Sequence, residues 1–244
     1  MININPGERL DDLQIKGYKI IQNPEKFCFG MDSVLLSGFA RIKPDEQVLD
    51  LGTGTGVLPL LLAAKGKGRC FHGLEIQEES VDMARRSVLY NDLSHCITIA
   101  HGDIKEASQL FGHVSFDVII TNPPYMIHAH GLRNPQDAKA IARHEVLCSL
   151  DDILRESSRI LKPKGRFFMV HRPFRMVDIF EKMSTYGIEP KRIRLVHPEM
   201  EKEPNMILIE GLRGGNRQLT VEAPLVISKK GGEYTKELKE IYGI

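Results

Sequence analysis

Short apolar runs alternate with longer amphipathic segments along the chain from residue 47 onward. The runs have the length of buried strands, and the segments between them have the spacing of helices. Such an alternation is typical of a parallel sheet covered by helices on both faces. The predicted strands are residues 48–51, 70–74, 97–100, 118–121, 166–170, 193–196 and 206–210. The predicted helices are residues 56–64, 78–91, 138–161 and 174–186.

The last two predicted strands follow each other without a helix between them. The connecting residues 197–205 read HPEMEKEPN, which is a turn-prone stretch, so we expect an antiparallel hairpin at one edge of the sheet. The expected fold is α/β, with a doubly wound, mostly parallel sheet of seven strands. We divide the chain into an N-terminal segment (1–46), a main domain (47–212) and a C-terminal tail (213–244) packed on that domain.

Composition sets limits on the class of protein. The chain has 244 residues, of which 42% are apolar and 27% are charged, so it is long enough for one domain with a substantial core and a small appendage. These values exclude a disordered polymer, a collagen-like fibre and a disulfide-based scaffold. The 33 basic and 32 acidic side chains give a net charge of +1, which by itself argues against a nucleic-acid-binding protein.

The cysteines and the apolar runs indicate the compartment. The four cysteines are widely spaced without a CxxC pair, so we expect reduced thiols. The first residues, MININPGERLDD, lack the basic start and apolar stretch of a signal peptide. The longest apolar run, residues 57–64, is much shorter than the roughly 20 residues that span a bilayer. We therefore expect a soluble cytoplasmic protein that does not bind a membrane.

Three glycines follow the first predicted strand of the main domain. Gly52, Gly54 and Gly56 alternate with threonines, and Asp50 lies two positions before them. Glycine permits a sharp turn and lets a ligand approach main-chain N–H groups closely. The dinucleotide fingerprint is GxGxxG, whereas the present D-x-G-x-G-x-G pattern is that of S-adenosylmethionine (AdoMet) methyltransferases. A tight turn without a ligand is the alternative.

Acidic residues also end the next two predicted strands. Glu75 is placed to accept hydrogen bonds from the two hydroxyls of a ribose, as an acidic residue does in the analogous NAD site. Asp103 is placed to accept from the adenine amino group. We assign the residues that follow them, Ile76 and Ile104, to the same cofactor site. The alternatives are a solvated glutamate at a helix start and an N-cap, respectively.

The fourth predicted strand ends in Asn122-Pro123-Pro124-Tyr125. The prolines make a stiff platform that presents the Asn122 amide and the Pro123 carbonyl as two hydrogen-bond acceptors. Two acceptors can draw the N–H bonds of an sp² exocyclic amine out of plane, which exposes its lone pair to a methyl donor, and Tyr125 can stack on the flat substrate. We predict these four residues to be catalytic, with Asn122 also contacting the cofactor. A proline-stabilised turn with a core tyrosine is the alternative.

These motifs, in this order and spacing, resemble those of the class I amino-methyltransferases over about residues 47–125. The resemblance implies the class I methyltransferase Rossmann-like fold and AdoMet as the cofactor. Upstream, residues 27–36 (FCFGMDSVLL) resemble the element that closes over this cofactor, with Phe27 or Phe29 near its methionine moiety. The N-terminal segment would then be a cofactor-capping segment. A plainer interpretation is that Asp32 is an N-cap and the phenylalanines belong to the core.

The motif NPPY leaves the accepting amine open among adenine, cytosine, guanine and glutamine. The whole layout is similar to the bacterial tRNA(Val) adenine-N6 methyltransferase family, including FGMDSVLL, residues 142–145 (ARHE), LTVEAPLVI and YTKELKEIYG. That resemblance implies N6-methylation of the adenosine next to the anticodon. Methylation of rRNA or of a protein glutamine, and a non-catalytic RNA-binding module, are the alternatives. An NAD(P) reductase ranks last because the glycine spacing is wrong.

Two basic regions are candidates for contact with tRNA. Residues 126–143 form a long predicted loop that we expect to order on RNA, with a simple solvated loop as the alternative. Its histidines, His128 and His130, have no third ligand nearby, so we predict no metal site. Its basic residues are Arg133, Lys139 and Arg143.

The second basic region emerges when charge is counted by position. Residues 1–152 carry 15 basic and 20 acidic side chains, whereas residues 153–244 carry 18 and 12. Residues 162–194 alone contain nine basic side chains, for which we predict a tRNA-binding surface. We expect a monomer without an obligate protein partner.

Overall fold

The computed structural model describes residues 2–26, 28–123 and 148–244. The strands are β1 (Arg9–Asp12), β2 (Lys19–Gln22), β3 (Gln47–Leu51), β4 (Cys70–Glu75), β5 (Ile97–His101), β6 (Phe116–Thr121), β7 (Leu161–His171), β8 (Ile188–Glu199), β9 (Met206–Arg213), β10 (Thr220–Val221) and β11 (Leu225–Ser228). The helices are α1 (Met31–Phe39), α2 (Val57–Ala64), α3 (Glu78–Tyr90), α4 (Ala107–Phe111), α5 (Leu150–Ile160), α6 (Met176–Thr185) and α7 (Lys236–Tyr242). Short 3₁₀ turns lie at Ile104–Glu106 and Pro173–Arg175.

The main sheet is mostly parallel, as predicted. Strands β3 to β7 all run in the same direction, in the order β7-β6-β3-β4-β5. Strand β9 lies between β7 and β8 and is antiparallel to both, so the predicted hairpin is confirmed. The predicted α/β fold class is confirmed as well.

Two details of the predicted sheet are wrong. The sheet has nine strands in the described part of the chain rather than seven, because β10 and β11 pair in parallel with β8. These two strands therefore cover the outer side of β8, and the β8–β9 hairpin does not form a free edge. Both added strands are short and Pro224 lies between them, so neither has the length or the alternation that marks a strand in sequence.

The order of the strands creates a crevice at the carboxyl edge of the sheet. From β3 the chain adds β4 and then β5 on one side, and it next adds β6 on the other side of β3. In open α/β sheets ligands bind outside the carboxyl ends of the strands at such a switch point. The turns that follow β3 and β6 carry the glycines and the Asn122-Pro123 pair, so the two main motifs lie on either side of this switch point.

Both faces of the sheet are buried, which explains the continuous apolar runs. Neighbouring residues of one strand enter opposite cores: Ile119 packs on one side and Ile120 on the other. Helices α1, α2, α3 and α7 cover the first face, and α5 and α6 cover the second. No helix in the described ranges is long and apolar enough to cross a membrane.

Helix α1 is held at its C-terminal end by two cations, of which Lys67 is partly buried and Arg192 is buried. The Lys67 ammonium donates to the carbonyl oxygens of Ser37 (2.9 Å), Gly38 (3.2 Å) and Ala40 (2.6 Å). The Arg192 guanidinium donates to Phe39 O at 2.9 Å and stacks on the Phe39 ring. Cations at this end of a helix satisfy its last carbonyls and complement its dipole, so α1 has a fixed position against the sheet.

Candidate active site

The glycine turn after β3 is pinned to the neighbouring strand. Gly52 N and Thr53 N both donate to Leu74 O of β4, at 2.9 and 3.0 Å. Gly54 has φ +56, and the space where a side chain would begin is open to 4 Å. On β4, a Cβ atom on Gly73 would lie 2.7 Å from Thr53 Cγ2. The turn is therefore tight on its β4 side and open at Gly54.

Glu75 is buried at the end of β4, with 6% of its surface exposed. Its Oε2 accepts from Gly54 N at 3.0 Å, and its Oε1 accepts from Gln77 N at 2.9 Å. The alternative of an ordinary solvated glutamate is therefore wrong. Each carboxylate oxygen can accept more than one hydrogen bond, so the predicted bonds from ribose hydroxyls are compatible with these two contacts.

Asp50 is buried more completely than Glu75, at 1% exposure. Within the described residues neither of its carboxylate oxygens, nor the hydroxyl of nearby Thr53, has a hydrogen-bond partner. Burial raises the pKa of Asp50 to about 7, and the charge of Glu75 adds to this shift. An ammonium group on a ligand would supply the missing donor. AdoMet carries such a group, so this carboxylate and the open glycine turn fit that cofactor.

Two further predicted cofactor residues lie on neighbouring strand ends. Asp103 accepts from Lys105 N at 2.9 Å through Oδ1 and caps the 3₁₀ turn at Ile104–Glu106. The N-cap role that the sequence offered as the alternative is therefore confirmed. The second carboxylate oxygen of Asp103 remains compatible with a ligand. Ile104 Cδ1 lies 3.8 Å from the point where a Gly52 Cβ would be, and Ile76 is partly exposed at the end of β4. Ile104 therefore flanks the glycine turn, while the role of Ile76 stays a prediction.

Asn122 is tied to helix α1. Its Nδ2 donates to Ser33 Oγ at 3.0 Å, which fixes the plane of the amide and the side on which Oδ1 lies. Thr121 Oγ1 donates to Leu51 O at 2.8 Å, which links the end of β6 to that of β3. Pro123 is buried next to Asn122. The structure thus joins three sequence motifs at one place: FGMDS, the glycine turn and the start of NPPY.

Sequence reasoning assigned no role to two residues that support this site. Ser33 belongs to FGMDS, but nothing in the sequence indicates its bond to Asn122, 89 positions away. Buried Gln22 accepts from Phe29 N at 2.9 Å and donates to Asp11 Oδ2 at 2.5 Å, so it fixes the backbone of the predicted cofactor residue Phe29. Asp32 is not the N-cap of α1, because that position is Gly30 and Asp32 lies in the first turn.

Several predictions fall on residues that the structure does not describe. They concern the platform residues Pro124 and Tyr125, the aromatic Phe27, the loop 126–143 with His128 and His130, and residues 142–145. All of these lie outside the described ranges, as does the first part of the predicted helix 138–161.

The predicted basic surface at residues 162–194 consists largely of cations that already have acidic partners. Six of its nine cations make ion pairs within the described residues: Lys162–Asp117, Arg166–Glu46, Arg175–Asp178, Lys182–Asp151, Arg192–Glu210 and Arg194–Glu237. Arg192 is also buried, with 6% exposure. Most of these cations are therefore paired within the protein, and several of the pairs are partly exposed. Contact of this surface with tRNA stays a prediction.

The strand order with its reversed β9, and the motifs at the switch point, define a class I methyltransferase fold. A solved structure described as a predicted O-methyltransferase from Agrobacterium tumefaciens is similar, with a TM-score of 0.68 at 22% identity. The comparison covers 87% of this chain and 96% of that one. At this level of identity the likeness establishes the fold alone.

Sequence comparisons identify the family. Residues 29–185 match the family described as methyltransferase small domain. The tRNA1(Val) (adenine(37)-N6)-methyltransferase of Porphyromonas gingivalis is 32% identical over 206 residues, which are 82% of this chain and 80% of that protein. The protein of the same name from Aeromonas salmonicida is 30% identical over 208 residues, 84% of each. The chain therefore belongs to the methyltransferase small domain family, in the group that these tRNA methyltransferases form.

Proposed function

We propose that this protein transfers the methyl group of AdoMet to the N6 amino group of adenosine 37 in tRNA(Val). The observation that carries the proposal is the juxtaposition of Asn122-Pro123 with the glycine turn across the switch point between β3 and β6. Both relatives described above are named for this reaction. We place the enzyme in the cytoplasm, as a monomer without an obligate protein partner.

The cofactor site is proposed from the residues that line the carboxyl edge. The glycine turn would receive the cofactor, with Asp50 facing its ammonium group and Glu75 its ribose hydroxyls. Asp103 would accept from the adenine amino group, while Ile76 and Ile104 would contact the ring. Phe29 would lie near the methionine moiety. When bound, the cofactor supplies an electrophilic methyl group on a sulfonium.

Asn122 and Pro123 prepare the accepting amine. The N6 lone pair of adenine is delocalised into the ring, which makes the amine a poor nucleophile. The Asn122 side-chain oxygen and the Pro123 carbonyl oxygen would accept its two N–H bonds, so that the lone pair points at the methyl carbon. The amine nitrogen held by these two acceptors would take the methyl group that bound AdoMet supplies, and it would release one proton to water. Orientation and fixed dipoles provide most of the acceleration.

Two parts of the proposal concern residues 124 and 125. Pro124 would stiffen the platform that carries the Pro123 carbonyl. Tyr125 would stack on the adenine ring, an interaction worth roughly 1 to 3 kcal/mol for a nucleobase. Both assignments are predictions from the sequence motif.

Methyl transfer from labelled AdoMet into purified tRNA and rRNA tests the proposal. We expect label in tRNA, located in N6-methyladenosine after digestion. The Asn122→Ala variant should lose transfer while AdoMet still raises its melting temperature. Label in rRNA or in protein would favour the corresponding alternative substrate. A protein that AdoMet does not stabilise, but that still binds RNA, would indicate a non-catalytic RNA-binding module.

A further inference from the structure

An aromatic side chain is exposed beside the proposed active site. Phe174 lies in the 3₁₀ turn that follows β7 and has 60% of its surface exposed, although burial of such a ring is favourable. One turn further along, Val177 is 74% exposed. Residues three apart in a helical segment are neighbours on one face, so the two side chains form an apolar patch.

The register of the sheet places the turn that carries this patch at the same carboxyl edge as Asn122, on the neighbouring strand. Strands β6 and β7 are parallel neighbours, and Thr121 at the end of β6 is opposite Met169 of β7. Neighbouring strands are about 4.8 Å apart. At this register Val170 is level with Asn122, and β7 continues to His171. Phe174 therefore follows four residues after the position level with Asn122, in the turn beyond the carboxyl end of β7.

The turn that presents Phe174 is held in place. The buried His171 ring accepts from Arg172 N at 2.8 Å through Nδ1. Arg172 Nη1 donates to Asn205 O at 2.9 Å, which ties the turn to the start of β9. Pro173 further restricts the backbone. Because the turn is already ordered, a ligand that stacks on Phe174 loses little free energy in fixing it.

The arginines that flank the ring fit a nucleic acid better than an apolar protein surface. Arg172 and Arg175 lie on either side of Phe174 in the sequence, and Asp178 pairs with Arg175. Basic side chains next to an exposed aromatic ring are typical of sites for single-stranded nucleic acid. Furthermore, an enzyme that acts on a base must take it out of the stack, which deprives the neighbouring base of its stacking partner.

We propose that Phe174 stacks on an unpaired base next to the target adenosine and replaces the partner that this base loses. The inference rests on the proposed function, since it assumes an RNA substrate. It deepens that function by assigning to Phe174 the binding of the RNA outside the target base.

Kinetics of Phe174→Ala on an anticodon stem-loop test this proposal. We expect KM for the RNA to rise about tenfold, with kcat within about twofold of wild type and with an unchanged melting-temperature shift on addition of AdoMet. Phe174→Tyr should restore KM because it keeps the ring. Val177→Ala is the matched control and should change KM by less than about twofold. An unchanged KM for Phe174→Ala, or an equal rise for Val177→Ala, would overturn the proposal.

Abasic substrates identify the stacked base. Removing the base on the 5′ or the 3′ side of the target should raise KM for wild type at one of these positions, with no further rise in Phe174→Ala. Equal fold-changes in both proteins would contradict stacking. If wild type transfers no methyl group to RNA, the proposed function fails separately, and direct binding of the stem-loop decides the role of Phe174. Equal affinities of wild type and Phe174→Ala for the stem-loop would then overturn it.

Discussion

Asp50 and Glu75 are buried carboxylates on adjacent strands, yet their surroundings differ. Glu75 accepts two backbone N–H bonds, whereas Asp50 accepts none within the described residues. The D-x-G-x-G-x-G pattern predicts both positions. It does not predict this difference, because the difference depends on how the turn after β3 lies against β4. Glu75 helps to hold the turn, whereas Asp50 still requires a donor.

Asp50 should give the ligand-free protein a distinctive pH dependence. Burial raises its pKa from 3.8 to about 7, so its contribution to stability is fully present below about pH 4 and is lost as the pH rises through 7. Asp50→Asn lacks this titration. As the pH rises from 5 to 8, the unfolding free energy of wild type should therefore fall by about 3 kcal/mol more than that of the variant. Urea denaturation at each pH measures this difference, and parallel curves for the two proteins would contradict the account.

Ser33 should act through Asn122. Ser33→Ala removes the acceptor of the Asn122 Nδ2 bond, so we expect kcat to fall about tenfold because the amide is misplaced, with an unchanged KM for AdoMet. Ser37→Ala is the matched control, since Ser37 is buried in the same helix and its hydroxyl donates to Val34 O, with no bond to Asn122 among the described residues. Steady-state kinetics of both variants measure the effect. Equal kcat values would argue against the positioning role of Ser33.

At the scale of elements, the pattern of apolar residues predicts those strands that are buried on both faces of the sheet. Strands β3 to β7 and β9 contain such runs, and their positions are predicted well. The short strands β1 and β2 are missed because each has charged or polar residues at both ends. Helix α7 has a single fully buried side chain, Leu238, so its pattern is too weak to detect. These elements depend on contacts with the rest of the fold, which sequence periodicity does not report.

Lys67 and Arg192 together clamp the C-terminal end of α1, and we expect Arg192 to contribute more to the stability of the fold. Its guanidinium bonds to Glu210 (2.6 Å), Glu222 (3.1 Å) and Phe39 O. Arg192→Met leaves these carboxylates without their buried partner and should cost about 3 kcal/mol of unfolding free energy. Arg194→Met removes a more exposed pair with Glu237 and should cost less than about 1 kcal/mol. Chemical denaturation compares the two variants, and similar losses would contradict a specific role of Arg192 in the clamp.

At the scale of the whole molecule, the charge asymmetry along the chain reflects internal pairing. Asp117, Glu46 and Asp151 of the acidic part pair with Lys162, Arg166 and Lys182 of the basic part. A count by position detects the asymmetry but cannot tell an internal ion pair from a surface that binds RNA. The division at residues 46 and 212 likewise remains a prediction.

Removing two paired cations tests this interpretation. In Lys162→Gln/Lys182→Gln, the slope of log affinity for tRNA against log salt should match that of wild type, because each lysine already has a carboxylate partner. Filter binding at several salt concentrations measures the slope. A decrease by about 1 for each lysine would show that they contact phosphates instead.

Nucleoside mass spectrometry of tRNA(Val) from cells with and without the gene tests the central claim most directly. The account predicts N6-methyladenosine at position 37 in wild-type cells, its absence in cells lacking the gene, and its return with the wild-type protein but not with Asn122→Ala. Unchanged N6-methyladenosine at position 37 in cells lacking the gene would contradict it.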